Sequence, residues 1–188
     1  MNSKQELIMF KNSLKLFCSI IDKIVMWLGK GASFLMPVLA FIVVYEVVAR
    51  YVFDAPTIWA YDSSLFLFGY IAALGGAYAQ QKRAHINVDI LYLTVSPKVK
   101  NIFNLISFSL GIYFLVIIFY VSIGKYNEAI EFDYRRQSEW APVMWHFWVM
   151  LCIASSIFTI QLVRDMVTEL YHLITGEELF EKEPEDGC

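Results

Sequence analysis

Long apolar stretches alternate with short polar turns along most of this chain. Four of the apolar stretches reach the roughly 20 residues that a helix needs to cross a bilayer. They run approximately over residues 31–50, 58–78, 102–123 and 143–163, and Pro37 is the one proline inside them. The pattern predicts an all-α integral membrane protein, with a four-helix transmembrane domain over residues 31–174.

The first 30 residues follow a different pattern, in which apolar side chains recur every three or four positions between charged ones. The apolar set is Leu7, Phe10, Leu14, Phe17, Ile21, Ile24 and Leu28. Lysines and Asp22 interrupt it, so the segment is not the apolar core of a signal peptide. We expect an amphipathic interfacial helix over residues 1–30, with lysines toward anionic lipid headgroups. A partner helix could receive the same apolar face.

The distribution of basic residues predicts the orientation, because short cytoplasmic loops carry an excess of Lys and Arg. Eleven of them would lie on the side of the two termini and four on the other side, namely Arg50, Lys125, Arg135 and Arg136. Both termini are therefore expected to be cytoplasmic. The acidic loop over residues 125–140 would lie outside, and residues 175–188 would form an acidic tail with too little apolar surface to fold alone.

Composition agrees with a membrane location and excludes several other classes. The chain is 58% hydrophobic with a mean hydropathy of +0.52, well above an ordinary soluble domain. A net charge of −3 does not indicate nucleic acid. Cys18, Cys152 and Cys188 have no spacing typical of a metal or redox site and are interpreted as free thiols. No metal or cofactor is predicted.

Two acidic residues near the ends of the apolar stretches are candidates for a functional or structural role, since burying a charge in a bilayer is costly. Glu46 precedes Arg50 by four residues, a spacing that lets the two pair on one helix face. Asp62 falls in the first turns of the next stretch, where the helix dipole favours a carboxylate. We expect a structural polar cluster of Glu46, Arg50 and Asp62. A proton or ion relay is the alternative.

A second polar pair, His85 and Asp89, lies in the basic turn after the second stretch. A histidine with an acidic partner could be a catalytic base and its orienter. No Ser or Cys nucleophile in a recognisable motif accompanies it, so capping at the membrane surface is the expected role and the chain is not expected to be an enzyme.

The second stretch also carries small residues at four-residue spacing, which let two helix backbones approach closely in lipid. They are Gly69, Ala72, Ala73, Gly76 and Ala77. This face could pack against the chain's own helices or against another subunit.

The motif RYVFDAP at residues 50–56, the acidic residue that follows it and AHINVD at residues 84–89 together resemble the small membrane subunit of TRAP transporters, the DctQ-type permease component. The residues that carry the resemblance are Arg50, Tyr51, Phe53, Pro56, Trp59, Asp62, His85 and Asp89. Two positions depart from the family pattern, because Tyr61 stands where a second acid is usual and Asn87 where a basic residue is common.

The resemblance implies a scaffold subunit of a secondary transporter in the bacterial inner membrane. A large multispanning subunit would carry the substrate and sodium sites, and a periplasmic binding protein would deliver an organic acid. Asp54, Arg135 and Arg136 would then help to dock the binding protein. The spans lack the broken helices and midplane polar groups of a substrate site, which agrees with a supporting role. An integral membrane enzyme and a self-associating four-helix channel are the competing interpretations.

Overall fold

The computed structural model describes residues 3–82 and 97–175, and these residues form five α-helices. They are α1 (Ser3–Ser33), α2 (Leu35–Tyr51), α3 (Ala60–Gln81), α4 (Pro97–Glu131) and α5 (Trp145–Thr175). The predicted sites His85 and Asp89 and the acidic tail lie outside the described residues.

Three helical stretches among the described residues are long and apolar enough to span a membrane: Lys11–Tyr51, Val99–Glu131 and Trp145–Thr175. The stretch predicted over residues 58–78 forms α3, whose 22 residues would cover about 33 Å. Polar residues at both of its ends, from Asp62 to Ser64 and at Gln80 and Gln81, dilute its apolar character. The chain therefore has three clear candidate spans, and a fourth stays a prediction.

The N-terminal helix is joined almost directly to the first predicted span. Phe34 alone separates α1 from α2, and the Ser33 hydroxyl donates a hydrogen bond to the Gly29 carbonyl one turn earlier, at 2.9 Å. The predicted boundary at residue 30 thus falls inside α1.

The second half of α1 packs against the chain's own helices. Ile21 and Val25 are buried together with Ala77 of α3, and Ile157 and Phe158 of α5 pack against them. Ile21 belongs to the predicted apolar face of α1 and is covered by protein here. Phe17 and Ile24 of the same face are 54% and 50% exposed, so the interfacial placement of this helix stays a prediction.

Polar and aromatic pairs fix the directions of the helices. Tyr70 meets His146 near the start of α5, and Gln80 meets Asp165 further along, so α3 and α5 run side by side in the same direction. The helices α1 and α4 run antiparallel to α5, and α2 packs beside α3. The core is therefore centred on α5, which contacts α1, α3 and α4.

Glycine permits the closest approach between α1 and α3. A Cβ atom at Gly29 would overlap the first atoms of the Tyr78 side chain, which are held near the α3 backbone and cannot swing away. The two helices therefore approach within a distance that only glycine allows at this position.

We expect Gly29→Ala to lower the free energy of unfolding by about 1–3 kcal/mol, because the added methyl group overpacks this contact. Gly31 is the matched control, since a Cβ atom there would meet nothing within 4 Å. Gly31→Ala should be neutral or stabilising by up to about 1 kcal/mol, through helix propensity. Thermal unfolding of both variants in one detergent makes the comparison. Equal midpoints would contradict the close approach.

Candidate functional site

Glu46 connects the end of α2 to the turn that follows it. Its Oε1 accepts hydrogen bonds from Arg50, at 3.1 Å from Nε and 2.5 Å from Nη2. Its Oε2 accepts from the backbone N–H of Thr57, at 3.1 Å, and from the Thr57 hydroxyl, at 2.5 Å. The Glu46 carboxylate therefore pairs with Arg50 and also holds Thr57 in position shortly before the next helix begins.

Asp62 forms a second network at the start of α3 and is almost fully buried, with 1% of its side chain exposed. The Arg136 guanidinium lies 2.7 Å from its Oδ1 as an ion pair, and the Ser138 hydroxyl donates to its Oδ2. Arg136 also lies over the ring of Tyr61, 5.7 Å from its centroid. These contacts fasten the loop between α4 and α5 to α3.

Backbone hydrogen bonds give the same loop a defined hairpin shape. The Arg136 N–H donates to the Pro142 carbonyl at 3.0 Å, and the Met144 N–H donates to the Tyr134 carbonyl at 3.1 Å. Asp133 and Ala141 have positive φ angles of 43° and 48°, a conformation found mainly in turns for residues other than glycine. The loop therefore presents a fixed surface.

The predicted cluster of Glu46, Arg50 and Asp62 thus divides into two separate networks. Arg50 pairs with Glu46 on its own helix, as the four-residue spacing indicated. Asp62 pairs instead with Arg136, from a loop far along the chain. The loop between α4 and α5 thus brings a second arginine to Asp62.

The same contacts separate the three residues predicted to dock a binding protein. Asp54 is exposed in the turn after α2, where its φ angle is 50°. The Arg135 side chain is 53% exposed and pairs with the exposed Asp133. Arg136 is only 26% exposed and is held by Asp62. Asp54 and Arg135 are available to a partner, whereas Arg136 stabilises the loop.

A further polar network, which sequence reasoning missed, joins α1, α3 and α5. Arg164 of α5 pairs with Asp22 of α1 at 2.6 Å and with Asp165 at 3.1 Å. The Gln81 amide donates to the Asp22 carbonyl at 2.8 Å and to its carboxylate at 3.2 Å. In the sequence, this network was indicated by the adjacent charges of Arg164 and Asp165 within the apolar α5. The spacing of residues along α5 does not show that Asp22 on α1 is their partner.

Two more glutamines complete this network. The amides of Gln80 and Gln161 donate to the two oxygens of Asp165 at 3.2 and 3.1 Å. Gln161 is fully buried. We call the set Asp22, Gln80, Gln81, Gln161, Arg164 and Asp165 the Arg164 belt, and the set Glu46, Arg50, Thr57, Asp62, Arg136 and Ser138 the Asp62 belt.

The two belts lie about one hydrocarbon thickness apart. Asp62 and Gln81 bound α3, and their separation along the helix is about 28 Å at 1.5 Å per residue. A bilayer core is about 30 Å thick, which is close to this separation.

The small residues of α3 serve the chain's own packing at three of the five predicted positions. A Cβ atom at Gly69 would lie 2.9 Å from Phe147, and one at Gly76 would lie 3.3 Å from Phe158. Ala77 is buried against α1. Ala72 is exposed and Ala73 is partly buried.

The other residues that carry the family resemblance, Tyr51, Phe53, Pro56 and Trp59, are all exposed.

An aromatic cluster that the sequence did not single out lies beside the Asp62 belt. The Tyr70 hydroxyl is 2.5 Å from Nδ1 of His146, and Phe66 packs edge-on against the same imidazole with ring centroids 4.8 Å apart. His146 is thereby committed to the α3–α5 contact. Among the described residues, no group of three His, Cys, Asp or Glu side chains is arranged to hold a metal ion.

Comparison with known proteins identifies the family. The profile of the family "Tripartite ATP-independent periplasmic transporters, DctQ component" matches residues 39–171. The chain belongs to this family. The match includes all of the Asp62 belt, and every residue of the Arg164 belt except Asp22. This DctQ component is thus a TRAP small permease with a multi-pass membrane location.

Two curated relatives agree with the family. The chain is 22% identical over 95 residues to the C4-dicarboxylate TRAP transporter small permease protein DctQ of Vibrio cholerae, covering 50% of this chain and 40% of that protein. It is 29% identical over 111 residues to the sialic acid TRAP transporter permease protein SiaT of Haemophilus influenzae, covering 58% of this chain and 17% of that protein. The matches therefore span less than half the length of either relative.

We expect Arg136→Ala to destabilise this DctQ component by about 3–5 kcal/mol, because it leaves the buried Asp62 carboxylate without its charged partner. Arg135→Ala is the matched control. Its pair with Asp133 is exposed on both sides, so the cost should be about 0–1 kcal/mol. Unfolding of the two purified variants in one detergent measures the difference. Equal stability would show that the Asp62 ion pair does not hold the loop.

Proposed function

We propose that this chain is the small scaffold subunit of a TRAP-type secondary transporter in the bacterial inner membrane. In this proposal a large multispanning membrane subunit carries the substrate and sodium sites, and a periplasmic binding protein delivers the substrate. The substrate is an organic acid, such as a dicarboxylate or a sugar acid. The observation that carries the proposal is the family match over residues 39–171. The relatives named for C4-dicarboxylate and for sialic acid support the substrate class.

The distribution of charge supports a scaffold role over a substrate site. Between the two belts, α2 to α5 contain no Asp, Glu, Lys or Arg, and the charged residues of α1 that follow Asp22 are the exposed Lys23 and Lys30. Three hydroxyl groups of α5 there donate to carbonyls of their own helix: Ser155, to Leu151 at 2.7 Å, Ser156 and Thr159. A site for a charged substrate and its coupling ion needs polar groups or broken helices near the midplane. Those groups are therefore assigned to the large subunit.

The similarity to SiaT supports a large membrane partner. The match covers 17% of that permease, so a segment like this chain forms a small part of a much longer membrane protein there. In the proposal, the two parts are separate chains here and pack against one another in the membrane.

The proposed topology has four spans and cytoplasmic termini. The α3 helix is included as a span because the two belts lie at its ends, about one bilayer core apart. The first span includes α2, and the part of α1 before Asp22 extends beyond the Arg164 belt. The excess of Lys and Arg on the Arg164 side supports its placement in the cytoplasm.

Cysteine labelling tests this topology. In a background without the native cysteines, Asn127→Cys should react with a membrane-impermeant maleimide in intact spheroplasts. Lys82→Cys should react only after lysis. Both positions are exposed, so access depends on sidedness rather than burial. Labelling of position 82 but not of position 127 in intact spheroplasts would contradict this orientation and support the opposite one.

The transport role is tested by reconstitution of this chain with the large subunit from its own genome. We expect sodium-dependent uptake of labelled C4-dicarboxylates or sialic acid that requires both membrane chains and the binding protein. Uptake that persists without this chain would contradict the proposed transport role.

Arg135→Glu should slow association with the binding protein at low salt and have a smaller effect at high salt, because exposed charges chiefly set the encounter rate. Lys125→Glu, which changes an exposed ion pair on α4, is the control.

A further inference from the structure

The Gln161 amide in the Arg164 belt is bound through its nitrogen but not through its oxygen. Gln161 has no exposed surface, and its Oε1 accepts no hydrogen bond from the described residues. A buried polar atom without a partner is unfavourable, so this oxygen marks a place for a ligand. Gln81 has a similar oxygen, but that residue is partly exposed, where water reaches more readily.

The Asp165 carboxylate fixes the orientation of the Gln161 amide. Its Oδ1 accepts from Nε2 of Gln161 at 3.1 Å, and a flipped amide would bring two oxygen atoms together instead. The free oxygen is bonded to the same carbon as that nitrogen, so it lies beside the same carboxylate. Oδ2 of Asp165 accepts one described hydrogen bond, from Gln80 at 3.2 Å, and a carboxylate oxygen can accept two. Both oxygen atoms therefore have lone pairs for a further ligand.

The surrounding network carries an unbalanced negative charge. Arg164 pairs with both Asp22 and Asp165, at 2.6 and 3.1 Å, so one positive charge faces two negative ones. The side chains of Asp22 and Asp165 are only 25% and 14% exposed. Lys23 and Lys82, the basic residues next to the network in sequence, are exposed and make no described ion pair with either carboxylate. A partly buried net charge of this kind favours a bound counter-ion.

The chemistry of the free oxygen atoms favours a metal ion as that counter-ion. Carboxylate and amide oxygens are the ligands that hard cations prefer. A monovalent cation balances the network, whereas a divalent one would leave excess positive charge beside Arg164. A proton is less suitable, because the described partners of both carboxylates are N–H donors that bond more strongly to the ionised form. Water would satisfy the oxygen but not the charge.

We propose that the Arg164 belt binds one monovalent metal cation between Oε1 of Gln161 and the Asp165 carboxylate. With only two acidic members, Asp22 and Asp165, this set differs from the clusters of three His, Cys, Asp or Glu that are absent from the described residues. The cation has a structural role where α5 meets α1 and α3. It does not depend on the proposed transport role, in which the coupling sodium belongs to the large subunit.

Thermal unfolding of the full-length chain in one detergent tests the site, with sodium chloride replacing choline chloride at constant ionic strength and pH. The midpoint should rise with sodium and saturate, because a ligand that binds only the folded chain stabilises it. Gln161→Leu should abolish this rise. Gln80→Leu is the matched control, since it removes another donor to the same carboxylate but leaves the buried oxygen of Gln161 in place, and it should keep the response.

Direct binding of radiolabelled sodium to the unaltered chain decides the question if Gln161→Leu fails to fold. Three results would overturn the proposal. The first is an unaltered chain that neither binds sodium nor responds to it, which would assign the oxygen to water. The second is an equal sodium response in the two variants. The third is a rise on acidification in choline chloride as large as the rise with sodium, which would assign the site to a proton.

Discussion

The structure depends on one constraint, which is that a charged side chain in hydrocarbon must be paired within the protein or moved to the membrane surface. This chain does both. Its buried charges gather in two belts about 28 Å apart along α3, and each buried carboxylate there meets an arginine or several amide donors. The belts fix the helix ends, and between them the contact of Tyr70 with His146 joins α3 to α5.

Each belt joins segments that are distant in sequence. Asp62 holds the loop of Arg136 and Ser138, and the surface that this loop exposes depends on that attachment. Arg164 also holds α1 in place by pairing with Asp22. Along the backbone, α1 is joined to the other helices through a single residue, Phe34. Ion pairs therefore position both the loop between α4 and α5 and the N-terminal helix, while small residues such as Gly29 and Gly69 set how closely the helices pack.

The sequence predicted features that depend on spacing within one segment. The Glu46–Arg50 pair follows from a four-residue separation, and the family follows from motifs with fixed residues. Contacts between segments were not predictable in the same way. Nothing in the spacing of Asp62 indicates Arg136, and Asp22 looked like one charge among the lysines of an amphipathic helix. A single sequence shows which face of a helix is apolar, but not which helix covers it.

The placement of charge on α5 links this architecture to a supporting role. An isolated membrane protein gains by turning the polar side chains at its helix ends toward water. Here Arg164, Asp165 and Glu169 turn inward and are consumed by internal pairs, while Leu170 and Ile174 remain outside. That arrangement leaves apolar side chains exposed at the end of α5. The internal pairs also leave few charged groups of α5 for a charged substrate, which agrees with the supporting role proposed for this chain.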